Sequence, residues 1–218
     1  PTLGRILAVG CGDSDIKLYS DGDCIRTLRG HDDAVSCVSW LPNASHTLVS
    51  VSREGGVRVW DAKRGAALCS RQLDGYARVV ACCRSGLVAV ACDTMVHLFR
   101  IGASELHPVR RIGPFASTVQ TIAFSHPAAD AVVADAHGTP EAKESIKAAA
   151  KAAKQGEEPA PTDALYIAIG GRDRDVSLFD VSSGAKVFAF SDHENWVRQV
   201  AFSANGKHLL SCADDCTV

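Results

Sequence analysis

Eight histidines and nine cysteines are the side chains of this chain best suited to nucleophilic, acid–base or metal chemistry, and their spacing supports none of these. The histidines are scattered, and there is no GxSxG elbow, no glycine-rich phosphate loop and no HExxH pair. Cys212 and Cys216 stand four apart, without the second pair or the histidine partners that a zinc site needs. What the chain does offer is a set of groups able to satisfy one another: His31, a serine at Ser50 or Ser52, Glu54 and Trp60. An imidazole, a hydroxyl, a carboxylate and an indole N–H can close a buried hydrogen-bond network. That chemistry is structural. No catalytic residues, cofactor or metal are expected, and the chain reads as a binding module rather than an enzyme.

The elements that must position this set lie between Gly30-His31 and Trp60-Asp61. Three short apolar runs, at residues 35–40, 47–51 and 57–60, are separated by Pro42-Asn43 and Glu54-Gly55-Gly56. Runs this short, rich in Val and Trp and punctuated by turn residues, predict β-strands. The pattern recurs. An acid sits six positions before an aromatic in Asp13/Tyr19, Glu54/Trp60, Asp93/Phe99 and Asp173/Phe179. The aromatics are 41 (19 to 60), 39 (60 to 99) and 80 (99 to 179) residues apart, the last gap being two periods. Asp215 would place the next aromatic at 221, three residues past Val218. A period of about 40–45 residues with four strands per unit is that of a WD-type β-propeller. The expected fold is therefore all-β, with the acids and His193 joining His31, Ser50, Glu54 and Trp60 in the structural network.

Bulk properties narrow the partners. With 23 basic and 25 acidic residues the net charge is −2, which argues against nucleic acid or an anionic membrane surface. No apolar run approaches the roughly 20 residues of a membrane helix. An odd number of cysteines, single except for Cys82-Cys83, predicts buried reduced thiols in the cytosol. About four to five blades fit in 218 residues, so the sequence reads as an incomplete fragment of a propeller, with seven blades expected for the whole.

In order, the chain predicts a partial blade at 1–29, a full blade at 30–73, a degraded blade at 74–111, a blade with an insertion at 112–180, and a partial blade at 181–218. In the degraded blade Gly75-Tyr76 replaces Gly-His, and Phe99 stands where Trp would. The insertion, at about 128–163, is rich in Ala and Lys and reads as a solvated short helix, over 139–156 between Thr139-Pro140 and Gly156, or as a disordered loop, with a regulated docking loop as the functional alternative. In the last blade Asp192-His193 replaces Gly-His, and Asn205-Gly206 predicts a turn.

The periodicity also predicts a binding face. Neighbouring strands are antiparallel, so the loop leading into a first strand and the turn after the second open on the same side. Arg172 in one such turn should meet Trp196 and Arg198 at the start of the next blade, with Arg53 on the same face two blades away. Trp and Arg dominate interface hot spots, because each brings apolar area and directed donors. The competing expectation is that Trp196 packs between blades and the arginines are merely solvated.

Three runs carry a resemblance to a family: CIRTLRGHDDAV (24–35), GRDRDVSLFDVSSG (171–184) and DHENWVRQVAFSANGKHLLSCADDCTV (192–218). They resemble the lissencephaly/nuclear-distribution proteins, propeller regulators of cytoplasmic dynein, and the insertion falls in the blade where that family carries one. The resemblance implies a seven-bladed propeller whose face docks on the dynein motor domain, in support of microtubule-based transport and nuclear migration. It implies nuclear-distribution E-type coiled-coil proteins as further partners and, in animals, the catalytic subunits of platelet-activating-factor acetylhydrolase. It places the protein in the cytoplasm and on the cytoskeleton, at microtubule plus ends, centrosome, spindle or cilium. The family's motor-contacting Arg and Trp map onto Arg172 and Trp196, with Arg53 and Arg198 as accompanying basic positions. Two departures stand out: the family's Trp-Val-Arg is read in the degraded blade as Arg78-Val79-Val80, and Cys216 stands where the family has Lys. The family's dimerisation helix and coiled coil are not in this sequence. The alternative is a generic WD-repeat scaffold, such as a ubiquitin-ligase substrate receptor or a ciliary assembly component.

Overall fold

Which strands are buried on both faces and which on one follows from their apolar content. The inner runs TLVSVS and LVAVAC are buried along nearly their whole length, whereas the outer runs DCIRTL, AALCSRQ and LHPVRRI are mostly exposed. The computed structural model describes residues 6–42, 44, 46–125, 165–203, 206 and 208–218, in two compact units, Pro1–Gln120 and Thr121–Val218. The described residues form seventeen strands and no helix.

In the first unit, β1 (Leu7–Gly10), β2 (Ile16–Ser20) and β3 (Asp23–Leu28) form one antiparallel sheet. The strands β4 (Val35–Trp40), β5 (Thr47–Ser52), β6 (Gly56–Asp61) and β7 (Ala66–Gln72) form a second. A third contains β8 (Ala77–Cys82), β9 (Leu87–Cys92), β10 (Met95–Ile101) and β11 (Leu106–Ile112). Neighbouring sheets stack through apolar faces. Ile16, Leu18 and Leu28 pack against Val35, Leu48 and Trp60, and Val57 and Val59 pack with Val88, Val90 and Phe99. Each large side chain buried this way contributes about 1.5–3 kcal/mol. The second unit holds the sheet that β12 (Val119–Phe124) forms with β13 (Tyr166–Gly171), β14 (Val176–Asp180) and β15 (Lys186–Phe190). Its other sheet pairs β16 (Val197–Phe202) with β17 (Leu209–Ala213), and Ala168, Val176 and Leu178 pack with Val197 and Val200. Successive four-stranded meanders stacked face to face are the architecture of a WD-repeat β-propeller, present here in part.

One regularity was invisible in the repeat pattern. Each outer strand bulges opposite the recurring aromatic, at Tyr19, Trp60, Phe99 and Phe179. An extra residue lets the strand bend around a bulky inward ring, and the unpaired residue (Ile25, Leu68, Val109 or Val187) points outward and is exposed. The turn after β5 needs Gly55, at φ 88°, where a Cβ would lie 2.2 Å from the Leu73 carbonyl oxygen.

The degraded blade, which lacks the Gly-His and the Trp, still forms a four-stranded sheet in which β11 pairs with β10 out to Ile112, Pro108 being tolerated on this outer strand. One expectation is corrected. The thiols are all unpaired, but Cys24 and Cys216 are exposed rather than buried. Among the others, burial pushes Cys82 up to about 12 and Cys92 up to about 11, which leaves both as inert thiols. The expected helix at 139–156, the insertion at 128–163 and Asn205 lie outside the described residues.

Candidate protein-binding rim

The polar network forms first in the reference blade. The His31 ring, 5% exposed, lies with Nε2 at 2.6 Å from Ser50 Oγ, and Trp60 Nε1–H donates to the same oxygen at 2.8 Å. Ser50 is thus the network serine, while the Ser52 hydroxyl donates to the Gly56 carbonyl. Ser50 Oγ, accepting from the indole, keeps one proton and one further lone pair with which to bond His31 Nε2, while Nδ1 faces Glu54 Oε1 at 3.6 Å, too far for a hydrogen bond. The last blade repeats the motif: His193 Nε2 lies 2.8 Å from Ser211 Oγ, and Nδ1 lies 2.9 Å from Asp215 Oδ2. Serine, histidine and carboxylate in this order resemble an acyl-transfer triad. In the reference blade, however, the serine oxygen is fully buried and committed to an indole, so the motif is a brace rather than a nucleophile.

The turn acids have a second task. Glu54, Asp93 and Asp215 each accept a backbone N–H of the loop that leads into their own blade, from Asp32, Tyr76 and Glu194 at 3.3, 3.2 and 2.9 Å. The remaining acids are not drawn into a histidine network. Asp13 accepts from the Asp15 amide and from Lys17, and Asp173 is half-buried, its carboxyl raised mainly by that burial.

These braces give the fold a two-stage acid response. Burial, reinforced by Arg58, holds His31 below its ordinary value, and burial with Arg111 and Arg71 does the same for His97. The unfolded chain therefore takes up these protons first, so stability is full above about pH 6.5 and falls below it. The Thr217 hydroxyl is the main cause holding Asp215 below the usual carboxylate range, helped by the Thr217 and Glu194 amides and His193. That contribution is present above about pH 4 and is lost as pH falls through the lower native value. Thermal melts between pH 8 and 3 should show two declines, with His31→Gln shrinking the first and Asp215→Asn the second. A flat profile from pH 7 to 5.5 would contradict the role given to the buried rings.

Three blades repeat one local device. The first strand bulges at Ser36, Arg78 and Arg198, which takes these residues out of the ladder; Arg198 is exposed, whereas Ser36 Oγ and Arg78 Nε are buried. Two residues before each bulge, the carbonyls of Ala34, Tyr76 and Trp196 accept the amides of Arg53, Asp93 and Asp214 at 3.0, 3.1 and 3.0 Å. In the second unit this brings together Arg172, Trp196 and Arg198. The Arg172 guanidinium carbon lies 4.4 Å from the centre of the Trp196 ring, and that of Arg198 lies 5.2 Å away. Trp196 is 37% exposed, so it is a surface ring rather than a wedge between sheets. Arg198 donates through Nε to Asp214 Oδ1 at 2.7 Å and through Nη2 to Oδ2, and each group shifts the other toward its charged form. Among the described residues no carboxylate pairs with Arg172. Arg53 is exposed in the turn after β5, in the first unit.

Sequence reading missed Tyr76 and misassigned Arg78. The register aligns Tyr76-Ala77-Arg78, not Arg78-Val79-Val80, with Trp196-Val197-Arg198. Arg78 stacks on Tyr76 at 4.5 Å, so the degraded blade keeps an aromatic–arginine pair. Counting back from the turn acid does not find it, because Tyr76 lies 17 residues before Asp93 whereas Trp196 lies 19 before Asp215.

Comparisons with known proteins agree with this architecture. The family model described as "WD domain, G-beta repeat" matches residues 22–61 and 184–218. Nuclear distribution protein nudF of Aspergillus niger is 29% identical over 221 residues, covering 98% of this chain and 45% of the relative. Nuclear distribution protein PAC1 of Arthroderma benhamiae is 30% identical over 233 residues, covering 100% and 47%. Nuclear distribution protein PAC1-2 of Uncinocarpus reesii is 31% identical over 207 residues, covering 89% and 41%. The chain spans less than half the length of these curated relatives. The chain thus carries WD40 repeats laid out as antiparallel meanders, and along nearly its whole length it is similar to the nuclear distribution proteins nudF and PAC1.

Proposed function

We propose that this chain is a non-enzymatic docking module of the nuclear-distribution pathway, binding the motor domain of cytoplasmic dynein through the rim built on Arg172, Trp196 and Arg198. The observation that carries the reading is an exposed indole with two guanidiniums against its ring, one of them without a carboxylate partner among the described residues. Such a surface suits a protein partner that sets an acidic side chain on Arg172 and apolar area on Trp196. In the first unit, Arg53 and the Tyr76–Arg78 pair are separate candidate contacts, each proposed by itself. The relatives' names support the pathway, and the resemblance of residues 171–184 and 192–218 to the lissencephaly/nuclear-distribution proteins supports the motor as partner. Nuclear-distribution E-type coiled-coil proteins and, in animals, platelet-activating-factor acetylhydrolase subunits are further candidate partners, and the cytoplasmic microtubule cytoskeleton is the proposed location.

Immobilised dynein motor domain should retain the purified protein at low ionic strength and release it as salt rises, because the contact is charged and partly exposed. No retention at any salt concentration would overturn the proposal and leave the chain as a WD-repeat scaffold for another partner.

A further inference from the structure

The bulge that exposes Arg198 raises the question of what holds this long side chain, because an exposed arginine has several rotatable bonds and loses entropy when fixed. Asp214 answers it through two bonds. Its amide donates to the Trp196 carbonyl at 3.0 Å, and its carboxylate takes both arms of Arg198, with Nε to Oδ1 at 2.7 Å. A two-point grip of this kind fixes orientation as well as distance. The same turn position in the reference and degraded blades does something else. Arg53 stands there with its amide on the Ala34 carbonyl, and the Asp93 carboxylate is used on the Tyr76 amide, leaving Arg78 ungripped by it.

We infer that Asp214 is a positioning residue of the rim: by gripping Arg198 and bonding the Trp196 backbone it presets the Arg172–Trp196–Arg198 stack before any partner arrives. Arg198 then acts as a wall for the indole, its charge already matched, and Arg172 remains the cation presented outward. The effect on partner binding rests on the dynein-docking reading, whereas the preset stack does not.

The test has two arms on the purified protein. In the first, acrylamide quenching of Trp196 is isolated by subtracting the signal of a Trp196→Phe variant, since the chain has three tryptophans. Asp214→Asn should raise the quenching constant about two- to five-fold, the range by which an exposed cation–π contact with its ion pair favours the closed stack. Arg198→Met should do the same, and the double variant should add nothing further, because both act on one contact. Asp214→Glu, which keeps the charge, should restore most of the protection. In the second arm, Asp214→Asn should weaken retention on the motor domain several-fold, mostly through faster release. Unchanged quenching in Asp214→Asn, or additive effects in the double variant, would overturn the inference whatever the motor does. Raised quenching with motor binding intact would uphold the preset stack and count against the rim as the motor contact.

Discussion

Trp60→Ala should destabilise the chain by about 3–5 kcal/mol, the cost of emptying a fully buried aromatic site. The indole is 1% exposed and packs among Ile16, Leu18, Leu28 and Leu48, so its removal leaves a cavity between two sheets that strand pairing prevents from collapsing. It also takes away the N–H that Ser50 Oγ accepts, in a network whose Ser50 and His31 are buried. Trp60→Phe separates the two losses. It keeps most of the apolar volume and forfeits only the hydrogen bond, so it should cost about 1–2 kcal/mol. Urea or thermal unfolding reads both variants. For a chain of this size the alanine variant should lower the melting temperature by roughly 6–20 °C. A loss below about 1 kcal/mol would mean that the network aromatic does not hold the sheets together.

Arg172→Ala combined with Trp196→Ala should produce the reverse pattern, in which binding collapses and stability barely moves. Trp196 is 37% exposed and Arg172 carries no ion pair among the described residues, so little burial is lost and the change in stability should stay below about 1 kcal/mol. If the rim docks the motor domain, removing an aromatic anchor together with its free cation should weaken binding on the order of 100-fold or more. Circular dichroism melts and retention on immobilised motor, run on the same preparations, give both numbers. Full retention of binding would sink the rim as the docking site. A large loss of stability would instead mean that Trp196 holds the fold.

The opposition between Trp60 and Trp196 is where sequence and structure part. Both stand next to a valine in a turn-bounded segment, and both belong to the repeat. What told them apart in the sequence was position: one ends a third strand six residues after an acid, and the other opens a first strand. That was enough to assign the strands and the choice of His31, Glu54 and Trp60 as network members. It could not choose between Ser50 and Ser52, because strand alternation puts both on the same face and only the reach of the indole N–H decides. Nor did it reveal the bulges that lift Ile25, Leu68, Val109 and Val187 outward, or that align Arg78 with Arg198. A bulge adds one residue to one strand only, and hydrophobic periodicity does not record the partner strand's count.

Taken alone, the sequence determined the repeat, the all-β class and the identity of the residues that brace the reference and last blades, because period-two burial and turn chemistry are local properties. It also named Arg172, Trp196 and Arg198 as a set, since blade periodicity brings the same turn and the next blade's leading loop to one side. Tertiary structure alone decided that Trp196 is exposed, that two guanidiniums lie over it, and that Asp214 holds one of them. Those facts depend on distances of a few ångströms between residues as far apart in the chain as Arg172 and Trp196. Such distances are set by the stacking and bulging of the sheets.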